Sequence, residues 1–364
     1  MKVNKIVLKN FRNFVEKRFV FDDKINVVFG KNAVGKTSLL ESIYYCGSTK
    51  SPRVHDIDYL IRKNESFFSL DCLFFSKKSN NNLFLSFSNG EKKIILNKQI
   101  VKKISEYIGE LGIVYYQPNE IVDFLGSPSG RRKTVDLIFS QFSKKYIGAL
   151  KLYTRVLKER NMALKSAENL NLRQNIILIE MLTESLISAM IPLIDLRKQF
   201  CEEINYCLTE IHHKFNSEEK LKLKYRPNME ICDIFENVKK LVNVDIQNKN
   251  TNFGAHKDDF EFYINGKELT KYCSQGQQKS AILSFKLAAA EVFNKIKGEY
   301  PVLLLDDALS ELDKERQNAL FGLIKPEMQL FLSTTSLKEI DDKILKKAKI
   351  IEIEKGEDFD EWRT

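Results

Sequence analysis

The residues Gly30-Lys31-Asn32-Ala33-Val34-Gly35-Lys36-Thr37 follow the pattern G-x-x-x-x-G-K-[ST]. Each fixed position has a chemical reason. The glycines let backbone N–H groups curl around phosphate oxygens at the positive end of a helix. Lys36 is expected to reach the β- and γ-phosphates of a bound nucleotide, and the Thr37 hydroxyl to ligate Mg²⁺. Asp306 and Asp307 follow the apolar run Val302-Leu303-Leu304-Leu305. An acid at the carboxyl end of a buried strand faces the ligand crevice of an α/β sheet. Asp306 is expected to hold the Mg²⁺ through water, and Asp307 to polarise an attacking water. Lys36, Asp306 and Asp307 form the expected catalytic set, and ATP with Mg²⁺ the expected cofactors. The structural alternative is a tight turn in one place and a strand exit with two solvated acids in the other. Finding both motifs in one chain weighs against it.

These motifs need particular elements around them. Ile25 to Phe29 is almost wholly apolar, as a strand buried on both faces should be, and it stops at Gly30. Thr37 to Tyr45 then reads as a helix, so the loop lies between strand and helix. Residues 66–75 and 83–96 read as strands, punctuated by Ser79 to Asn82 and by Asn89-Gly90. Gly112 to Tyr116 reads as another strand. From about Lys133 to Phe215 the apolar spacing turns helical, with a break expected near Asn169-Leu170-Asn171 and a kink near Pro192. Strand patterning returns after Lys220 and at Phe260 to Ile264. A helix from Gly276 to about Lys297 precedes Val302–Leu305, and strands at Gln329 to Ser333 and Ile350 to Ile353 complete the set. The simplest packing joins both ends of the chain into one α/β unit, with the helical middle as a second lobe.

Composition narrows the partners. Lys plus Arg number 58 against 49 Asp plus Glu, a net charge of +9. That balance favours an acidic partner such as nucleic acid or an anionic membrane. The six cysteines contain no C-x-x-C pair, which leaves a zinc ribbon unsupported. No run of about 18 uncharged apolar residues is present, so no membrane span and a cytoplasmic location are expected. His212-His213 sits on a helical stretch and reads as surface more readily than as ligand. No carboxylate–histidine cluster suggests a nuclease, and helicase motor motifs are missing.

A third motif sets the class. Tyr272-Cys273-Ser274-Gln275-Gly276-Gln277-Gln278-Lys279 resembles the ABC signature. A serine hydroxyl and N–H groups at a helix start make a second anion site. In that architecture Ser274, Gln275, Gly276 and Gln277 would serve the nucleotide of a partner subunit. Ala308-Leu309-Ser310-Glu311-Leu312-Asp313 is similar to the D-loop, with Ser310 and Asp313 as its interface residues. Ser333-Thr334-Thr335-Ser336 occupies the switch position, where many relatives carry His and this chain offers Thr334 or Thr335. The second acid is Asp307 where Glu is usual, and the shorter reach implies slow hydrolysis.

The complete pattern resembles the RecF family of bacterial recombination and replication-repair proteins. The likeness rests on Leu8-Lys9-Asn10-Phe11-Arg12-Asn13-Phe14, Gly126-Ser127-Pro128-Ser129-Gly130-Arg131-Arg132, Gly254-Ala255-His256-Lys257-Asp258-Asp259 and the motifs already described. The family usually reads Gly-Pro-His-Arg where this chain has Gly254-Ala255-His256-Lys257. SMC-type relatives place a long coiled coil between the Lys36 and Ser274 motifs, whereas this chain has room only for the rest of a head and one helical lobe. The resemblance implies an α/β fold: an ABC-type P-loop ATPase head with mixed sheets plus an inserted helical lobe. The expected division is head at 1–132, lobe at 133–220 and head again at 221–364. It further implies an ATP-induced homodimer that clamps gapped or double-stranded DNA, with weak hydrolysis releasing it. RecR with RecO would be partners, and RecA loading and SOS induction the outcome. Arg53, Arg62, Lys63, Arg131, Arg132 and Lys133 are the residues offered for DNA phosphates. The alternatives are a soluble ABC-type subunit of another complex and an SMC-like chromosome-maintenance head. Gln117 lies where a nucleotide-sensing glutamine loop would be, followed by Pro118.

Overall fold

Five apolar runs form one parallel sheet, in the order Ala348–Glu352, Ile25–Phe29, Leu330–Thr334, Val302–Leu305, Ile113–Tyr116. The computed structural model describes residues 1–77, 79–118, 120–166 and 172–354. The three inner strands are buried almost throughout, the pattern of a sheet covered on both faces. The helices Lys36–Ser48 and Gln275–Lys297 pack on it. The second is rich in Ala, Leu and Ser and is buried from Ser280 to Ala290.

An antiparallel sheet of six strands lies in the same unit, in the order Phe14–Val20, Lys2–Phe11, Phe67–Ser76, Ser79–Ser88, Glu91–Leu96, Gln99–Ile100. Phe67–Ser76 alternates buried and partly exposed residues, as a one-sided sheet requires. The expected strand at 83–96 is two strands. Asn89 and Gly90 both take positive φ (51° and 76°), which makes a tight two-residue hairpin between them.

The chain divides into two compact units: Met1–Ile121 with Glu210–Glu218 and Ser274–Thr364, and Val122–Thr209 with Glu219–Cys273. The boundaries drawn from sequence at 132 and 220 differ from these. Residues 221–273, assigned to the head, group with the helices. The physical reason is a small antiparallel sheet, Lys267–Glu268, Asp259–Ile264 and Leu221–Arg226. Its Phe262 packs on Phe124 and its Phe260 on Phe139, both from helices of that unit. The longer of the other helices there are Lys144–Ser166, Ile231–Asn248 and most of Leu172–Phe215. The break expected at Asn169–Asn171 lies outside the described residues. Pro192 sits inside Leu172–Phe215.

Two other expectations change. The helical segment Ile176–Phe215 is long and apolar enough to cross a membrane by length and composition, its most apolar 18-residue window having a mean hydropathy of 1.8. Glu180 and Glu184 interrupt its apolar run. Its Ile179, Leu186, Met190 and Leu193 are buried within the protein, and its Arg197 is in ion pairs. His212 is no surface residue: it is fully buried, with Nδ1 2.9 Å from Ser284 Oγ.

Buried charge ties the second unit together. Arg197, 2% exposed, donates to both oxygens of Asp136, to Asp258 Oδ2 at 2.9 Å and to the Ala255 carbonyl at 2.7 Å. Asp258 also accepts from the Asn228 N–H and from Tyr225. Arg131 grips Asp259 with two bonds of 2.8 Å, and Arg132 donates to the Asp258 carbonyl. His256 bridges Tyr153 and the Thr251 carbonyl, and burial lowers its pKa, opposed by the bond to that carbonyl. The segments 126–132 and 254–259 are therefore one structural knot. Removing one member of a buried ion network strands its partner, at about 3–5 kcal/mol. Urea unfolding should find Arg197→Met destabilised by about that amount. A loss below about 1 kcal/mol would show that the knot carries little of the unit's stability.

Candidate nucleotide site

Residues 30–35 leave the strand Ile25–Phe29 and enter the helix Lys36–Ser48 through a curled loop. Ala33 (φ 63°) and Gly35 (φ 114°) are left-handed, so successive N–H groups turn toward one side. A Cβ on Gly35 would sit 2.5 Å from the Asn13 amide nitrogen, so glycine is required there by space as well as by φ. Gly30 and Val34 are buried, while Lys31, Asn32 and Ala33 are exposed. Lys36 is 8% exposed, and its Nζ donates to the Gly30 and Lys31 carbonyls at 2.8 Å each. Burial lowers the Lys36 pKa, opposed by the charges of Asp307 and Asp306.

The opening motif supports this loop from beneath. Asn13 donates to the Val34 carbonyl at 3.0 Å. Arg12 holds Glu41 of the loop helix bidentately at 2.7 and 2.8 Å and also reaches the Tyr59 carbonyl. Glu41 is fully buried and takes a third bond, from Ser51, at 2.6 Å. In the sequence Arg12 and Asn13 stand only as part of a family likeness, and Glu41 and Ser51 carry no motif. Their roles are legible only once residues 12, 41 and 51 are seen together.

Strand Val302–Leu305 delivers Asp306 beside Thr37. Thr37 Oγ1 donates to Asp306 Oδ1 at 3.2 Å, across 269 residues of sequence. Ser333, at the end of the neighbouring strand, donates to the same oxygen at 2.5 Å, and Tyr115 from the far side donates to Oδ2 at 3.1 Å. Asp306 is 5% exposed and thus held by three hydroxyls. Burial, then the Asp306 charge, drives the Tyr115 pKa well up. Gln117 lies 3.1 Å from the Tyr115 hydroxyl. Neither Tyr115 nor Ser333 was singled out for the acid. The available signal is that each lies one residue before the end of a strand flanking the Asp306 strand.

Asp307 is exposed and takes a left-handed φ of 49°, an uncommon conformation that Asp tolerates. Its N–H donates to Ser333 Oγ at 2.9 Å, which fixes that geometry. Burial, then Asp306 and Glu339, raise its pKa, while Lys36 lowers it. Of the two switch candidates, Thr334 is buried and donates to Glu339 at 3.1 Å, and Thr335 is exposed. The donors fit the expected ligands: Thr37 and Asp306 are hard oxygens of the kind Mg²⁺ prefers, beside a loop of N–H groups and an ammonium.

Ser274 is the exposed N-cap of Gln275–Lys297, accepting from the Gln277 N–H while the Gln277 side chain accepts from the Ser274 N–H at 2.8 Å. Gly276 lies against Arg316, whose nitrogen would be 3.0 Å from a Cβ there. Asp313 caps the helix Lys314–Leu323, and Ser310 donates to the Asp307 carbonyl. Among the residues offered for DNA, Arg53 is half-exposed near Glu41, and Lys63 and Lys133 are exposed. Arg131 is 9% exposed and occupied by Asp259, so its place is structural, and Arg132 is partly buried against the Asp258 carbonyl.

The family model for the RecF/RecN/SMC N terminal domain matches residues 2–356. The DNA replication and repair protein RecF of Shouchella clausii is 34% identical over 98% of this chain and 98% of its own length. RecF of Staphylococcus carnosus is 33% identical over 98% and 99%. A solved structure of the recombination mediator protein RecF-ATP in the RecFOR pathway covers 93% of each chain at 28% identity, with a TM-score of 0.85. The Smc head domain of Pyrococcus furiosus shares the fold at 19% identity and a TM-score of 0.53. With the ATPase-head fold in common and a third of the residues identical from end to end, the chain belongs to the RecF family.

Proposed function

We propose that this protein is an ATP-gated, DNA-binding dimer of replication and recombinational repair. The carrying observation is the constellation Lys36, Thr37 and Asp306 in one site, with Ser274 exposed at a separate helix start. In this reading residues 30–37 hold the triphosphate, and Thr37 and Asp306 hold Mg²⁺. When bound, the metal neutralises phosphate charge. Lys36 turns from its loop carbonyls to the β- and γ-phosphates. Asp307, carried outward by its left-handed backbone, orients a water, and its short side chain keeps hydrolysis slow. Ser274, Gln275, Gly276 and Gln277 meet the γ-phosphate held by a second copy, with Ser310 and Asp313 at the seam and Thr335 as the exposed switch residue. The RecF-ATP structures support the nucleotide, and the RecF relatives support the setting.

DNA binding draws on the +9 charge, on the exposed cations Arg53, Lys63 and Lys133, and on the partly buried Arg62. Contacts to phosphates carry little sequence preference. A bacterial cytoplasmic location, RecR with RecO as partners, and RecA loading with SOS induction as outcomes complete the proposal. A soluble ABC-type subunit of another complex would lack ATP-dependent DNA binding.

Light scattering with ATP and Mg²⁺ should find dimers for the wild type and monomers for Lys36→Ala and Ser274→Arg. The Ser274 variant should still bind ATP, and normal dimerisation by it would sink the shared site. Asp307→Asn should cut ATP turnover by about 10²-fold or more while leaving the dimer intact. Turnover at wild-type level would move the base elsewhere. Lys63→Ala should lower the slope of log affinity for DNA against log salt by about one. An unchanged slope would remove Lys63 from the DNA surface.

A further inference from the structure

We infer that Tyr115 is a positioning residue for Asp306, selecting which carboxylate oxygen faces the Mg²⁺. The inference rests on the reading of Thr37 and Asp306 as the metal's holders. A carboxylate on a short side chain turns easily, because its last torsion is broad and nearly two-fold. Something must therefore choose between Oδ1 and Oδ2.

The structure provides the choice from two sides. Oδ1 lies 3.2 Å from Thr37 Oγ1, the other expected metal ligand, and takes the Ser333 hydroxyl at 2.5 Å. Oδ2 takes the Tyr115 hydroxyl at 3.1 Å in a buried setting. That hydroxyl has one proton and two acceptors within 3.1 Å, Asp306 Oδ2 and Gln117 Oε1. Bonds to charged acceptors are roughly twice as strong as neutral ones, so the proton goes to Asp306. Oδ2 is then committed, and Oδ1 remains the oxygen beside Thr37. The ring cannot drift, because Tyr115 is 4% exposed and rests on Tyr44 with centroids 5.2 Å apart. Ser333 cannot do this alone. It shares Oδ1 with Thr37 and also accepts from the Asp307 N–H. Groups that orient a metal ligand in this way are typically worth 10–100-fold in metal affinity.

Tyr115→Phe removes the hydroxyl and keeps the ring on Tyr44. The readout is the affinity of the full chain for a non-hydrolysable ATP analogue, measured by calorimetry in EDTA and again in excess Mg²⁺. The ratio of the two affinities is the metal's contribution, and a general weakening of the site cancels from it. For Tyr115→Phe the ratio should fall about 10-fold against wild type, with the EDTA affinity within about twofold. A ratio equal to wild type, alongside an Asp306→Ala control that has lost it, overturns the role of Tyr115. An Asp306→Ala control that keeps the full ratio overturns the metal assignment itself, and the role of Tyr115 with it.

Discussion

The strand Leu330–Thr334 is the constraint on which the site depends. It pairs in parallel with Ile25–Phe29 on one side and with Val302–Leu305 on the other. The first neighbour launches the phosphate loop and the second delivers Asp306. Without this strand between them, the loop and the acid would be two unrelated chain segments. One buried side chain pins it to the other sheet. Gln329 accepts from the Val3 N–H at 2.7 Å and donates to the Val3 and Asp22 carbonyls at 2.8 and 2.7 Å. All its polar atoms are used, which is what a fully buried amide requires. Parallel strands so far apart in sequence cannot pair early or locally, so the fold is committed to slow, non-local closure.

The same three strand ends explain how two adjacent acids differ. Asp306 is turned inward and receives hydroxyls from the strands on either side. Asp307 is turned outward by a positive φ, and its own N–H is tied to the serine that holds Asp306. Identical side chains thus enter different environments through one backbone torsion. Desolvation, then the neighbouring carboxylates Asp306 and Glu339, lift the Asp307 pKa.

Much of this was legible from residue types and order. The phosphate loop, the inner apolar strands and the helix after Ser274 lie close to where pattern and spacing put them, because fully buried strands and glycine-bounded loops leave strong local signals. What escaped was set by contacts between distant residues. His212 looked like surface on a charged helix end and is buried against Ser284. Arg131 looked like a phosphate ligand and is bound to Asp259. Residues 221–273 looked like head because strands return there, yet they pair among themselves and pack on the lobe's phenylalanines. No local pattern distinguishes an arginine waiting for an anion from one that already has its carboxylate.

That distinction bears on how the family's motifs should be read. Gly126–Arg132 and Gly254–Asp259 contain arginines, a histidine and paired acids, the residue types of a catalytic centre. In this chain Arg131, Arg132, His256, Asp258 and Asp259 spend polar atoms on one another, on Arg197 and on nearby groups such as Tyr153, Tyr225 and the Thr251 carbonyl. A buried ion network is weak evidence for net stability, since an apolar replacement of equal volume often does as well. Its value lies in geometry: bidentate arginines accept only one arrangement of the segments they join. The motifs at 30–37, 274–277 and 306–307 differ in place: they sit on a loop, at a helix start and at a strand exit, with Lys31, Ser274 and Asp307 exposed. Two kinds of constraint thus act on one chain, fixed geometry within the second unit and chemistry within the first, and both yield short polar motifs. Only the partner of each side chain tells them apart.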